Sequence, residues 1–264
     1  MKKVAGSICM ASFLVLAFLI PGTLASENDT LFQTSTISAL MQGVYDGTMT
    51  FKDLGAHGDF GLGTVQALDG EMVGLDGQFY QIKSDGKASR LNDSMKTPFA
   101  EVAFFKPEET VTLNGNSNLT ELQSLLDGSL ATMNIFYGIR IDGTFDYVKT
   151  RSVPMQSKPY PPLSEAVKDQ KIFEFHGVKG TIVGFRCPDY VNGVNVPGYH
   201  LHFITLDRSA GGHLLDCNLE NPSVSVDSLS ELDLALPDSE EFYQADLTED
   251  QQAALTKVES NPKK

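Results

Sequence analysis

The sequence predicts an α/β chain of the α+β kind, with two subdomains built on mixed β-sheets and a few short helices. Three observations carry this. Strand-length apolar alternations recur between Asp-Gly turns, helical periods are short and few, and four prolines gather at residues 152–162 (Pro154, Pro159, Pro161 and Pro162).

The elements follow in order. Ser35-Thr36 precedes a helical stretch at 37–45, with Ile37, Leu40, Met41 and Val44 at three- and four-residue spacing. Residues 63–68 end at Asp69-Gly70, 71–75 end at Asp76-Gly77, and 78–82 follow, which is the pattern of a β-meander. Residues 102–105 and 110–113 continue as strands, and 118–126 read as a short leucine-bearing helix. Residues 133–141 and 144–148 flank Asp142-Gly143 as a further hairpin. The proline stretch reads as the boundary between a domain at 26–155 and a second at 156–264. Residues 163–170 predict a short helix, and 172–176, 180–186, 199–206 and 213–217 predict strands. Residues 221–246 show no clear period. Thr248-Glu249-Asp250-Gln251 has the form of a capping box opening a helix to about Val258.

Composition narrows the function classes. Of 264 residues, 41% are hydrophobic and 20% charged, so the chain is too apolar for disorder and long enough to bury a core. A net charge of −14 leaves no basic excess for phosphate, which argues against nucleic acid. Met1-Lys2-Lys3, the apolar run 8–20 and Ala25 follow the order of a secretory signal peptide at 1–25. The run is short for a membrane span, so the expectation is an exported chain, periplasmic or extracellular, with no membrane anchor after cleavage. Cys9 leaves with the signal. Cys187 and Cys217 remain, either as a disulfide or as two buried thiols.

The chemistry concentrates in Pro197-Gly198-Tyr199-His200-Leu201-His202-Phe203 and Gly211-Gly212-His213. Alternate residues of a strand share a face, so His200 and His202 point together. A hairpin turning between Asp207 and Arg208 sets His213 opposite His202. A His-x-His pair alone is ordinary. A third histidine at the return spacing makes a three-imidazole set, which suits an open zinc site and also suits Cu, Ni or Fe(II). His57 and His176 have no such partners and read as structural. A cupin-like motif lacks its acid after the second histidine, a carbonic-anhydrase spacing would be wider, and the His-Glu-x-x-His of a zincin is absent.

Several separated motifs then agree in order with one family. Gly58-Asp59-Phe60-Gly61-Leu62-Gly63-Thr64, Leu68-Asp69-Gly70-Glu71, Gly138-Ile139-Arg140-Ile141-Asp142-Gly143, Arg151-Ser152-Val153-Pro154, Gly180-Thr181-Ile182-Val183-Gly184 and Gly198-Tyr199-His200-Leu201-His202-Phe203 resemble α-acetolactate decarboxylase over most of residues 35–260. The resemblance implies a zinc-dependent carboxy-lyase that converts 2-acetolactate to (R)-acetoin and CO₂. It also implies a two-domain protein that forms a homodimer by joining sheets. It assigns zinc to His200, His202 and His213, and active-site roles to Glu71, Arg151 and Glu259. Residue by residue, Glu71 opens a strand and shares its face with Val73 and Leu75, so it points inward. Arg151 stands where a strand meets the proline stretch, and Arg140 is the local competitor. The chemistry fits these parts: a Lewis acid to take electrons, a cation for the carboxylate and a carboxylic acid to protonate one face. Which glutamate delivers the proton is left open. Two other readings use the same histidines: an exported zinc- or copper-binding protein without catalysis, and a zinc hydrolase. Neither requires both Glu71 and Arg151.

Overall fold

The computed structural model describes residues 29–113 and 115–259. The signal peptide read at 1–25, with Cys9, lies outside the described residues. The first sheet has seven strands: β1 Thr30–Thr34, β3 Phe60–Thr64, β4 Glu71–Leu75, β5 Gln78–Ile82, β6 Ala88–Arg90, β8 Ala100–Ala103 and β15 Glu231–Ala235. Their order is β15-β1-β8-β3-β4-β5-β6; β15 runs parallel to β1, and every other pair is antiparallel. The expected meander is present, and β4 and β5 turn at Asp76 (φ 53°) and Gly77 (φ 73°), the paired positive φ of a tight hairpin turn. A two-stranded ladder joins β2 Met49–Thr50 to β7 Lys96–Thr97.

The second sheet holds β9 Glu109–Thr112, β10 Asn116–Asn118, β11 Phe136–Ser152, β12 Lys171–Cys187, β13 Gly198–Thr205 and β14 Gly211–Leu229. β14 pairs with both β11 and β13, so this sheet bends back on itself. In sequence order the chain leaves the first sheet after Ala103 and returns to it at Glu231. The helices are α1 Ile37–Met41, α2 Phe51–Leu54, α3 Leu119–Ser129, α4 Leu163–Ala166, α5 Glu240–Gln244 and α6 Gln252–Glu259. The α+β class is as expected.

Three local expectations fail for physical reasons. Asp142-Gly143 does not turn the chain, because β11 runs straight through it. Asp142 takes hydrogen bonds from Arg140 and Thr181, Gly143 pairs with Gly180, and the irregularity appears as a bulge against β14. Residues 172–176 and 180–186 are likewise one strand, because β11 supplies a partner along almost the whole of β12. The capping box at Thr248 does not form. The Thr248 hydroxyl bonds Asp246, α6 begins at Gln252, and Asp250 accepts from the Gln252 N–H.

One apolar cluster lies between the sheets, with Leu31, Phe60, Val73 and Leu75 of the first against Phe136, Val183, Phe185 and Ile204 of the second. Cys187 belongs to this cluster. Cys217 belongs to another, which includes Leu122 and Leu126 of α3, and both thiols are free and buried. A third cluster joins α1, α4 and α6 through Ile37, Leu40, Leu163, Leu255 and Val258, and it roofs the site described next.

Candidate metal centre and active site

The site grows out of strand register. Arg151 on β11 stands opposite His213 on β14, and His213 stands opposite His202 on β13. Residues directly opposite each other in a ladder share a face, so three neighbouring strands aim these side chains one way. His200, two residues before His202, joins them. The hairpin turn falls at residues 206–209, with Arg208 at φ 59°, as the histidine spacing required. The three imidazole centroids lie 5.2, 5.3 and 5.3 Å apart, and one ring nitrogen from each falls within 4.8 Å of the others. All three histidines are buried.

The arrangement fits a divalent metal. His202 Nδ1 lies 2.8 Å from the Met72 carbonyl oxygen, which can only accept, so the proton sits on Nδ1 and Nε2 keeps its lone pair. That Nε2 is buried without a hydrogen-bond partner, an orphaned acceptor of the kind a cation satisfies. Burial holds His202 and His213 well below the ordinary histidine range, and Arg151 adds to that effect at both, so both imidazoles are neutral, the form that can bind a cation. At His200 burial also lowers the pKa, but Glu259 and Glu101 outweigh it and raise the value.

The carboxylates come from opposite sides. Glu71, at the start of β4, places Oε2 3.6 Å from His202 Nε2. Burial pushes its carboxyl up to about 7, against the pull of Arg151 and with help from Glu259. Glu259, at the end of α6, lies 3.6 Å from Arg151 Nη2, 3.7 Å from His200 Nε2 and 3.5 Å from His213 Nε2. Arg151 is only 4% exposed. Ile37, Leu40, Phe99, Val153 and Leu163 supply an apolar wall.

All six residues singled out from the sequence therefore meet in one pocket: Glu71, Arg151, His200, His202, His213 and Glu259. Arg140 does not, because Asp76 and Asp142 hold it elsewhere. His57 stacks on Phe32 and His176 lies against Tyr147, both away from the site. Sequence reading missed Glu101, which reaches His200 Nδ1 at 3.2 Å from β8. Its signal was a lone acid inside the apolar run Ala100-Glu101-Val102-Ala103-Phe104-Phe105.

The α-acetolactate decarboxylase family model matches residues 31–249. An α-acetolactate decarboxylase of Methanosarcina mazei is 52% identical, covering 91% of this chain and 84% of its own. One from Methylococcus capsulatus is 46% identical over 90% of this chain and 91% of its own. The crystal structure of α-acetolactate decarboxylase from Bacillus subtilis superposes with a TM-score of 0.85 at 41% identity, covering 87% of this chain and 98% of that one.

Proposed function

Since the chain belongs to the α-acetolactate decarboxylase family, we propose that it converts 2-acetolactate to (R)-acetoin and CO₂ with the help of a zinc ion held by His200, His202 and His213. The observation that carries this is the register that aligns Arg151, His213 and His202 on three adjacent strands, with a carboxylate closing in from each side. A bound zinc would supply Lewis-acid polarisation of the substrate's carbonyl and hydroxyl oxygens. Arg151, the buried cation of the pocket, takes the substrate carboxylate and holds it out of the carbonyl plane, where the C–C bond breaks with its electrons flowing toward the carbonyl. The carbon left behind needs one proton, delivered to one face. Glu71 suits the donor's part by its place, because its buried carboxyl lines the pocket within 3.6 Å of His202 Nε2. Glu259 stands between Arg151 and the histidines, on the side from which α6 closes. The apolar wall receives the methyl groups and keeps water from competing for the proton.

The decisive test incubates the purified chain with acetolactate, with and without a chelator, and then restores zinc. Acetoin formation that stops on chelation and returns with about one zinc per chain is expected. Full turnover by metal-free protein would overturn the metal's part. Export belongs to the same proposal. It rests on residues 1–25, and an intact mass beginning near Ser26 from a secreting host is expected. A homodimer is proposed on family likeness, with sedimentation as its check.

A further inference from the structure

Glu101 is 0% exposed at the centre of the first sheet, between β1 and β3. A wholly buried carboxylate is costly unless its oxygens are engaged. One oxygen, Oε2, accepts from Asn195 Nδ2 at 2.7 Å. The same amide nitrogen donates to Gln33 Oε1 at 2.8 Å, and Gln33 Nε2 donates to the Ser35 and Val194 carbonyls. The Val196 N–H holds Asn195 Oδ1 at 2.6 Å. Gln33 and Asn195 are as deeply buried as Glu101. The network therefore holds the carboxylate by Oε2 and leaves Oε1 3.2 Å from His200 Nδ1, both atoms being buried and otherwise without a hydrogen-bond partner.

His200 thus has two distinct sides. Nδ1 faces Glu101, while Nε2 faces the pocket beside Glu259. We propose that Glu101 is a positioning residue: by accepting the Nδ1 proton it sets the tautomer and ring orientation that present His200 Nε2 to the metal. The inference rests on the metal reading above. His202 obtains the same service from a neutral carbonyl, that of Met72. At His200 the partner is a carboxyl oxygen, the kind of second partner that orients a metal-binding imidazole. The clamp gives three buried polar side chains, Gln33, Glu101 and Asn195, a common task. Together they fix the direction of one imidazole.

The test measures zinc affinity by competition with a chromophoric chelator for wild type, Glu101→Gln, Glu101→Asp and His200→Ala, along with thermal unfolding of each metal-stripped protein. Glu101→Gln is expected to weaken zinc binding 10–100-fold, with metal-free unfolding close to that of wild type. The visible spectrum of the cobalt-substituted variant should also shift. Adding Glu101→Gln to His200→Ala should cost no further affinity, because Glu101 acts through that ring. Glu101→Asp keeps the carboxyl group but withdraws it by one methylene, and should also bind zinc more weakly; it serves if the glutamine variant fails to fold. A folded Glu101 variant with wild-type zinc affinity and cobalt spectrum would overturn the proposal. Wild type that binds no zinc would instead overturn the metal reading itself.

Discussion

Arg151 is buried beside Glu259 at 3.6 Å and directly opposite His213, yet it is not one of the three candidate metal ligands. Binding and chemistry should therefore separate there. On the proposed function, Arg151→Ala is expected to bind zinc as wild type does and lose turnover steeply, because the substrate carboxylate would forfeit a charge-assisted partner worth roughly 2–3 kcal/mol in a buried pocket. Arg151→Lys should recover only part, since an ammonium lacks the planar fork. Metal content and rate measured on the same preparations check both statements. A second prediction concerns Asp227. Burial, with Glu108, Asp29 and Asp59 nearby, pushes its carboxyl up to about 6, while its oxygen accepts from the Lys106 N–H. The folded chain then binds this proton more tightly than the unfolded one. Stability from this group is complete below about pH 4 and is lost as pH rises through about 6. Asp227→Asn removes that loss while keeping an acceptor. Its stability relative to wild type should rise between pH 4 and 7.5, on the order of 1 kcal/mol after allowing for solvent screening. Urea unfolding at the two pH values reads it, and a flat difference would contradict the assignment.

Among the elements, β13 carries two of the three histidines, and its distance from β12 depends on Gly184. A Cβ there would stand 2.1 Å from the His200 carbonyl oxygen and 2.8 Å from the Leu201 side chain. Gly184→Ala must push β13 aside. It is expected to cost about 1–3 kcal/mol and to loosen zinc binding. Gly128→Ala, in α3 with open space around it, should instead stabilise by about 0.5–1 kcal/mol. Thermal melts with and without chelator compare the two. These elements also show what a sequence can disclose. The β13–β14 hairpin was legible because period-2 alternation and a symmetric return place His200, His202 and His213 without knowledge of the rest. Asp142-Gly143 misled because turn chemistry is local, whereas two flanking strands hold β11 straight. Glu101 stayed hidden because its reason lies 99 positions away at His200, across a contact between the sheets that no periodicity encodes. Glu71 and Glu259 could be read as inward or acidic, but their convergence needed the resemblance.

For the whole molecule, the first sheet is completed from both ends of the described chain. β1 receives β15 along five residue pairs, Thr30 with Glu231 through Thr34 with Ala235, and the Thr30 hydroxyl bonds a side chain 201 positions away. Pairing at such separation forms slowly, because the loop must close before the contact rewards it. Pulse-labelled hydrogen exchange during refolding should therefore find the Glu231–Ala235 amides protected last. Early protection there would contradict it. During synthesis the same pairing becomes a matter of timing. At about 5–20 residues per second, roughly 10–40 s pass between the appearance of β1 and that of its parallel partner. Through that interval one side of a strand bearing Leu31 and Phe32 lies open to any other extended chain. Nascent chains halted before residue 231 should aggregate more readily than chains halted just beyond residue 235, and sedimentation of ribosome-bound chains of the two lengths would show whether the late strand is what closes that window.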